Sequence, residues 1–153
     1  MSGITSYRDL LAWQKAIDLV DLVYDITAAF PRSELFGLVQ QMRKAAVSIP
    51  SNIAEGSRHR TAGYISRLII SLIISLGEHA ELETQAIIGE RRQYISRSKM
   101  NEFDSLATRV GQLAHGLLRS LETSYENERL RRRRESRSPK PKSRLTSQAR
   151  TRS

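Results

Sequence analysis

Apolar positions recur at steps of three and four along most of this chain, which is the spacing of one face of an α-helix. The first stripe is Leu10, Trp13, Ile17, Val20, Val23 and Ile26, with Asp9, Lys15, Asp18, Asp21 and Asp25 largely on the other side. It predicts a helix from Tyr7 to about Ala29, capped by Ser6 with Asp9 completing a short capping box. Phe30-Pro31 ends it, because the residue before a proline is pushed out of the α region. The second stripe is Leu35, Leu38, Met42, Ala45, Ile49 and Ile53, with Ser33 as its cap and Gly56 as its terminator. Pro50 stands inside it. A proline in a helix interior costs about 3 kcal/mol, yet Ile49 to Ile53 is a step of four, so the phase is kept. That continuity favours one kinked helix over a break into two short ones.

A third helix is predicted from about Ala62 to Ile88, following a short basic turn at 57–61. Ile65, Leu68, Ile69, Leu72, Ile73, Leu76, Ala80 and Ile87 keep helical spacing, and Glu83 is the polar exception. Ile70 and Ile74 are apolar on the side away from Leu68 and Leu72. A helix apolar on nearly every side is covered on more than one side, and in a four-helix chain this implies a second copy against Ile70 and Ile74. The last stripe, Met100, Phe103, Leu106, Val110, Leu113, Leu117 and Leu121, is the most regular, with Ser98 as its cap and an end near 122–124. The expected fold is all-α: an antiparallel up-down-up-down four-helix bundle over residues 6–123, followed by a disordered basic C-terminal tail over residues 124–153.

Charge sharpens that division. The chain has 153 residues and a net charge of +9. Residues 1–123 hold 14 Lys/Arg against 13 Asp/Glu, and residues 124–153 hold 11 against 3. The body is near neutral and the basicity belongs to the tail. The tail's Arg129, Arg131, Arg132, Arg133, Arg134, Arg137, Lys140, Lys142 and Arg144 form a candidate nucleic-acid contact; the plainer reading is a solubilising extension. Tyr125 is the tail's one aromatic residue, which argues against base stacking. Arg58, Arg60, Arg91, Arg92 and Arg97 fall in links at opposite ends of an up-down bundle, so they cannot make one patch within a protomer.

Little in the chain points to catalysis. It lacks cysteine, which removes disulfides and thiolate metal sites. His79 lies near Glu78, Glu81 and Glu83, but the Glu-x-x-His pair of a two-metal carboxylate bundle is missing, so a solvated charged face is the expected reading and no metal or cofactor is assigned. There is no glycine-rich phosphate loop and no nucleophile elbow. Beside Pro50, Ser48 and Asn52 are expected to satisfy backbone groups at the kink, with a ligand pocket there as the lesser alternative. Arg43, Lys44 and Glu55 are expected in ion pairs or facing water. The longest apolar run, 68–76, is interrupted by Ser71 and Ser75, so no membrane span is expected. The N-terminus does not resemble a signal peptide, and a cytoplasmic protein is expected.

Three segments carry a resemblance: YRDLLAWQKAIDLVDLVYDIT, FPRSELFGLVQQMRKAAVSIPSNIAEG and YISRLIISLIISLGEHAELETQAIIG. Together, over about residues 6–122, they resemble the four-helix bundle proteins called the S23 ribosomal protein or ribosomal RNA intervening-sequence protein family. That family is related to the accessory variability determinant of diversity-generating retroelements. The resemblance implies a bacterial, cytoplasmic, helical-bundle homopentamer with no established enzymatic activity, associated with RNA or DNA and, in the relative, with a reverse transcriptase. The basic tail is a departure from the family pattern. Two functions follow as expectations: a non-enzymatic oligomeric scaffold that associates with RNA or DNA largely through its tail, or a protein-interaction module that partners a polymerase or reverse transcriptase.

Overall fold

The computed structural model describes residues 6–58 and 63–137. Its four helices are α1 (Leu11–Ala28), α2 (Leu38–Ser57), α3 (Tyr64–Arg91) and α4 (Arg97–Arg137). Among the described residues there is no strand. Each helix packs on the next, and α1 closes the ring against α4. Cross-helix contacts fix the directions. Thr27 near the end of α1 meets Arg43 near the start of α2, Gly56 near the end of α2 meets Ser71, and Gly89 near the end of α3 meets Ile95. The arrangement is the expected antiparallel up-down-up-down bundle.

Leu19, Val23, Met42, Ile49, Ile53, Leu72, Leu82, Phe103 and Val110 are fully buried. Fully burying such side chains stabilises a fold by about 1.5–3 kcal/mol each relative to exposure. On α1 the buried line is Ala12, Ala16, Leu19, Leu22, Val23 and Ile26, so Trp13, Ile17 and Val20, expected inside, are only half-buried, and Leu35 is exposed before α2 begins. On α3 the buried line is Leu68, Leu72, Ser75, His79, Leu82 and Ala86, so Ile73, Ala80 and Ile87, expected inside, face outward.

Helix ends differ from expectation in instructive ways. The Ser6–Asp9 capping box is present, but it closes a 3-10 turn at Tyr7–Asp9 that leads into α1. The α2 helix begins at Leu38, and its cap is Glu34 rather than Ser33: the Glu34 carboxylate accepts from the Leu38 N–H at 3.0 Å. A second 3-10 turn, Arg32–Glu34, brings that carboxylate into place. Ser96, not Ser98, caps α4 by accepting from the Lys99 N–H at 3.2 Å. Helix α3 starts after Gly63, whose φ of +81° is a left-handed conformation that glycine adopts without strain.

Gly56 does not end α2. It is buried within the last turn, and a Cβ there would sit 2.5 Å from the Ser71 Cβ. Its missing side chain allows α2 and α3 to approach closely. The fourth helix does not end near residue 123 either. It runs 41 residues to Arg137, so residues 124–137 are helical where a disordered tail is expected. Glutamates placed three or four residues from arginines explain this. Glu126 pairs with Arg129, Glu128 with Arg132, and Glu135 with Arg131, offsetting the repulsion between like charges. Lys140, Lys142, Arg144 and the turn residues 59–62 lie outside the described residues.

Candidate nucleic-acid interface and apolar faces

Helix α4 leaves the bundle at about Leu121, the last residue of its stripe packed on the core. Beyond it the helix stands largely alone for the 16 residues 122–137, about 24 Å at 1.5 Å per residue. This segment carries Arg129, Arg131, Arg132, Arg133, Arg134 and Arg137, all exposed. Arg129, Arg133 and Arg137 recur every four residues and so share a face, with Leu130 beside them. Three arginines are held by glutamates, at 3.2 Å (Arg129–Glu126), 3.4 Å (Arg131–Glu135) and 2.6 Å (Arg132–Glu128). These exposed pairs hold little energy, so the guanidiniums are oriented rather than neutralised by burial. Arg91, Arg92 and Arg97 lie at the far end of the bundle, where Arg97 pairs with Glu90 at 2.8 Å. Arg58, at the end of α2, lies at the other end of the bundle, beside the start of α3, so the two links do not form one patch within the protomer.

Where α3 starts and α4 runs on, the two helices bound a cleft of about 600 Å³. Tyr64 from α3 and Tyr125 from α4 both line it, with Arg129 and Arg132. Sequence reasoning found only Tyr125. Its partner is 61 residues away, and only the antiparallel register of α3 and α4 brings them together.

The outer face of α3 is apolar. Ile70, Ile73 and Ile74 are 57%, 54% and 47% exposed. On a different side of the bundle, α1 and α2 form a shallow apolar groove of about 250 Å³, lined by Trp13, Ile17, Val20, Val47, Pro50 and Ala54. Such contiguous apolar surface marks interaction sites more often than chance exposure does.

The proline lies within continuous helix from Leu38 to Ser57. Asn52 donates its side-chain amide to the Ser48 carbonyl at 2.8 Å and to the Ser48 hydroxyl at 3.1 Å. Ser51 donates to the Val47 carbonyl at 2.7 Å. From α3, Ser75, fully buried, donates to the Ile49 carbonyl at 3.2 Å and to Ser71 of its own helix. Asn52 thus bonds the backbone beside Pro50, whereas the Ser48 hydroxyl meets the Asn52 amide, and Pro50 itself is buried on the groove. Arg43, expected to form an ion pair or face water, does neither among the described residues of the protomer. It lies over the Tyr24 ring at 4.5 Å and donates to the buried Thr27 hydroxyl at 2.9 Å. Lys44 and Glu55 are exposed.

His79 is a correction to the expected charged face. It is buried between α3 and α4, its Nε2 2.6 Å from the Ala107 carbonyl and its Nδ1 3.4 Å from Glu83. The carbonyl accepts, so Nε2 carries a proton. Gly111 leaves the space the ring occupies. The histidine is part of the α3–α4 packing, and among the described residues no three His, Cys, Asp or Glu groups converge on a metal position.

Comparison with known proteins adds a family. A family model described as 23S rRNA-intervening sequence protein matches residues 8–116. A solved structure from Bacteroides thetaiotaomicron, described as a protein of unknown function from the S23 ribosomal protein family, is 20% identical. The similarity covers 71% of this chain and 98% of that one, with a TM-score of 0.61. No curated protein matches the chain. Among the described residues no helix is long and apolar enough to cross a membrane.

Proposed function

Since the chain belongs to the 23S rRNA-intervening sequence protein family, we propose that it is a non-enzymatic oligomeric scaffold that associates with RNA or DNA through its C-terminal basic segment. The observation that carries this reading is α4 itself. It outruns the bundle and presents six arginines on a helix with almost nothing to pack against. A bundle needs no such extension for its own stability. Phosphate neutralisation by arginines releases counterions and gives binding that does not depend on sequence.

The scaffold is built head to tail. The Ile70–Ile73–Ile74 ridge of one copy seats in the α1–α2 groove at Trp13, Val20 and Pro50 of the next. Ridge and groove lie on different faces, so the contact is heterologous and closes into a ring when its rotation allows. Five copies is the number that the family resemblance implies. The cytoplasm is the place where such a protein meets nucleic acid. A second reading, a docking module for a polymerase or reverse transcriptase, is favoured by Phe36. This phenylalanine is 86% exposed beside the half-exposed Leu35, in the turn before α2 and away from the ridge.

The test is retention of the full chain on a nucleic-acid matrix against a chain ending at residue 123. The full chain is expected to bind at low salt, with log K falling by about 0.7 per contacted phosphate per decade of salt on single strands. The truncated chain is expected to lose most of that binding. Undiminished binding by the truncated chain refutes the role of the segment.

A further inference from the structure

The cleft between the start of α3 and the free part of α4 has a chemistry that counter-charge alone does not require. One wall is the first turn of α3, Gly63 to Ser66, and the other is α4 from Leu121 to Arg132. Its volume, about 600 Å³, falls within the roughly 300–1,000 Å³ of small-molecule sites. The cleft is lined by Tyr64 and Tyr125, by Arg129 and Arg132, by the apolar Ile65 and Leu121, and by Ser66 and Ser124. Tyr64 also packs against the core and is half-buried, so its ring is fixed. Tyr125 is exposed and presents its ring for contact.

Arg129 and Arg132 stand one and two turns beyond Tyr125 on the same helix. Each is engaged by a single carboxylate, Glu126 at 3.2 Å and Glu128 at 2.6 Å. A guanidinium has five N–H donors, so each keeps donors for an anion. Rings flanked by guanidiniums fit a planar heteroaromatic group attached to a phosphate. Bases stacked inside a duplex offer no face to a tyrosine, whereas unpaired bases do.

We propose that this cleft takes an unpaired base of single-stranded nucleic acid, stacked on Tyr125, with Arg129 and Arg132 holding the adjoining phosphates. The inference rests on the proposed nucleic-acid role of the α4 extension and gives that extension a preference for single strands. Glu128, which also lines the cleft, holds the Arg132 guanidinium at 2.6 Å and disfavours a phosphate placed away from the guanidiniums.

The experiment measures fluorescence anisotropy of a labelled, unstructured oligouridylate and of a labelled duplex of the same length with the full chain. Tyr125 is exposed on a helix and alanine is a good helix former, so Tyr125→Ala keeps the fold, which circular dichroism confirms. Stacking on one aromatic ring is worth about 1–3 kcal/mol per base, so this variant is expected to weaken oligouridylate binding roughly fivefold to a hundredfold. Duplex binding is expected to stay within about twofold, and Tyr125→Phe is expected to restore single-strand binding. Equal oligouridylate affinity for wild type and Tyr125→Ala overturns the cleft. So does an equal loss on both probes. If the cleft fails in this way while the chain ending at residue 123 still loses all binding, the role of the basic segment stands and only the base-stacking site falls.

Discussion

Gly56→Ala tests how closely α2 and α3 are packed. The new Cβ sits 2.5 Å from the Ser71 Cβ, 2.6 Å from its Oγ and 3.2 Å from the Leu68 Cα. The hydroxyl can rotate away, but the Ser71 Cβ and the Leu68 Cα are fixed by the α3 backbone. The first contact is about 0.9 Å short of the 3.4 Å at which ordinary van der Waals contact begins, so the two helices must separate. Separation also stretches the hydrogen bond from Ser75 to the Ile49 carbonyl, now 3.2 Å. Alanine in place of a helical glycine gains about 1 kcal/mol of propensity. Overpacking a closed site costs about 1–3 kcal/mol, and rigid backbone on both sides places this one toward the upper end. The net expectation is a loss of about 1–2 kcal/mol. Gly116→Ala makes the same chemical change in α4, where a Cβ meets nothing within 4 Å, and is expected to gain about 0.4–1 kcal/mol. Urea unfolding of both variants at one protein concentration compares them, since an oligomer's stability depends on concentration. Ser71→Gly in the Gly56→Ala background is expected to recover part of the loss, read as a coupling energy in a double-mutant cycle. A Gly56→Ala protein as stable as wild type refutes the close approach and returns Gly56 to the role of a helix terminator.

Two further substitutions probe single groups. The Gln85 Oε1 is buried without a hydrogen-bond partner, while its amide nitrogen donates to Glu81 at 2.9 Å; Gln85→Met removes an unpaired group costing about 1–3 kcal/mol and is expected to raise the urea midpoint, whereas a lower midpoint contradicts this reading of the site. Glu34 caps α2 through Leu38 and accepts from the Tyr94 hydroxyl at 3.3 Å; Glu34→Ala is expected to cost about 1 kcal/mol in thermal or urea melts, and an unchanged melt removes the carboxylate as the helix cap.

The four helices are legible because a 3.6-residue period is enforced wherever one face of a helix must be buried; the stripes through Met42, Ile49 and Ile53 and through Phe103 and Val110 run true, whereas on α1 the buried line is shifted to Ala12, Ala16 and Leu19 and leaves Trp13, Ile17 and Val20 on the groove. The misreading of Gly56 has its cause in a partner that lies far away in sequence. Gly56 carries the signature of a helix end, and the same residue type also serves close approach; only Ser71 on α3 separates the two. His79 was open to a better reading. It continues the line Leu68, Leu72, Ser75, Leu82 and Ala86, so its spacing already put it inside, while the neighbouring glutamates suggested solvent. The length of α4 was also partly written in the chain: Glu126, Glu128 and Glu135 stand at helical pairing distances among the arginines. The Tyr64–Tyr125 cleft was not written there, since no local pattern joins residues on two helices. The exposure of Ile70 and Ile74 agrees with the expectation that the protomer does not cover them itself.

Assembly through that isoleucine face is the claim on which the proposed scaffold depends, and multi-angle light scattering of the full chain at micromolar concentration tests it most directly. The mass is expected to be a multiple of the 17.4 kDa protomer, about fivefold if the family resemblance extends to its ring, and to fall to one protomer in the Ile70→Asp/Ile74→Asp double variant. A wild-type mass of 17.4 kDa contradicts it.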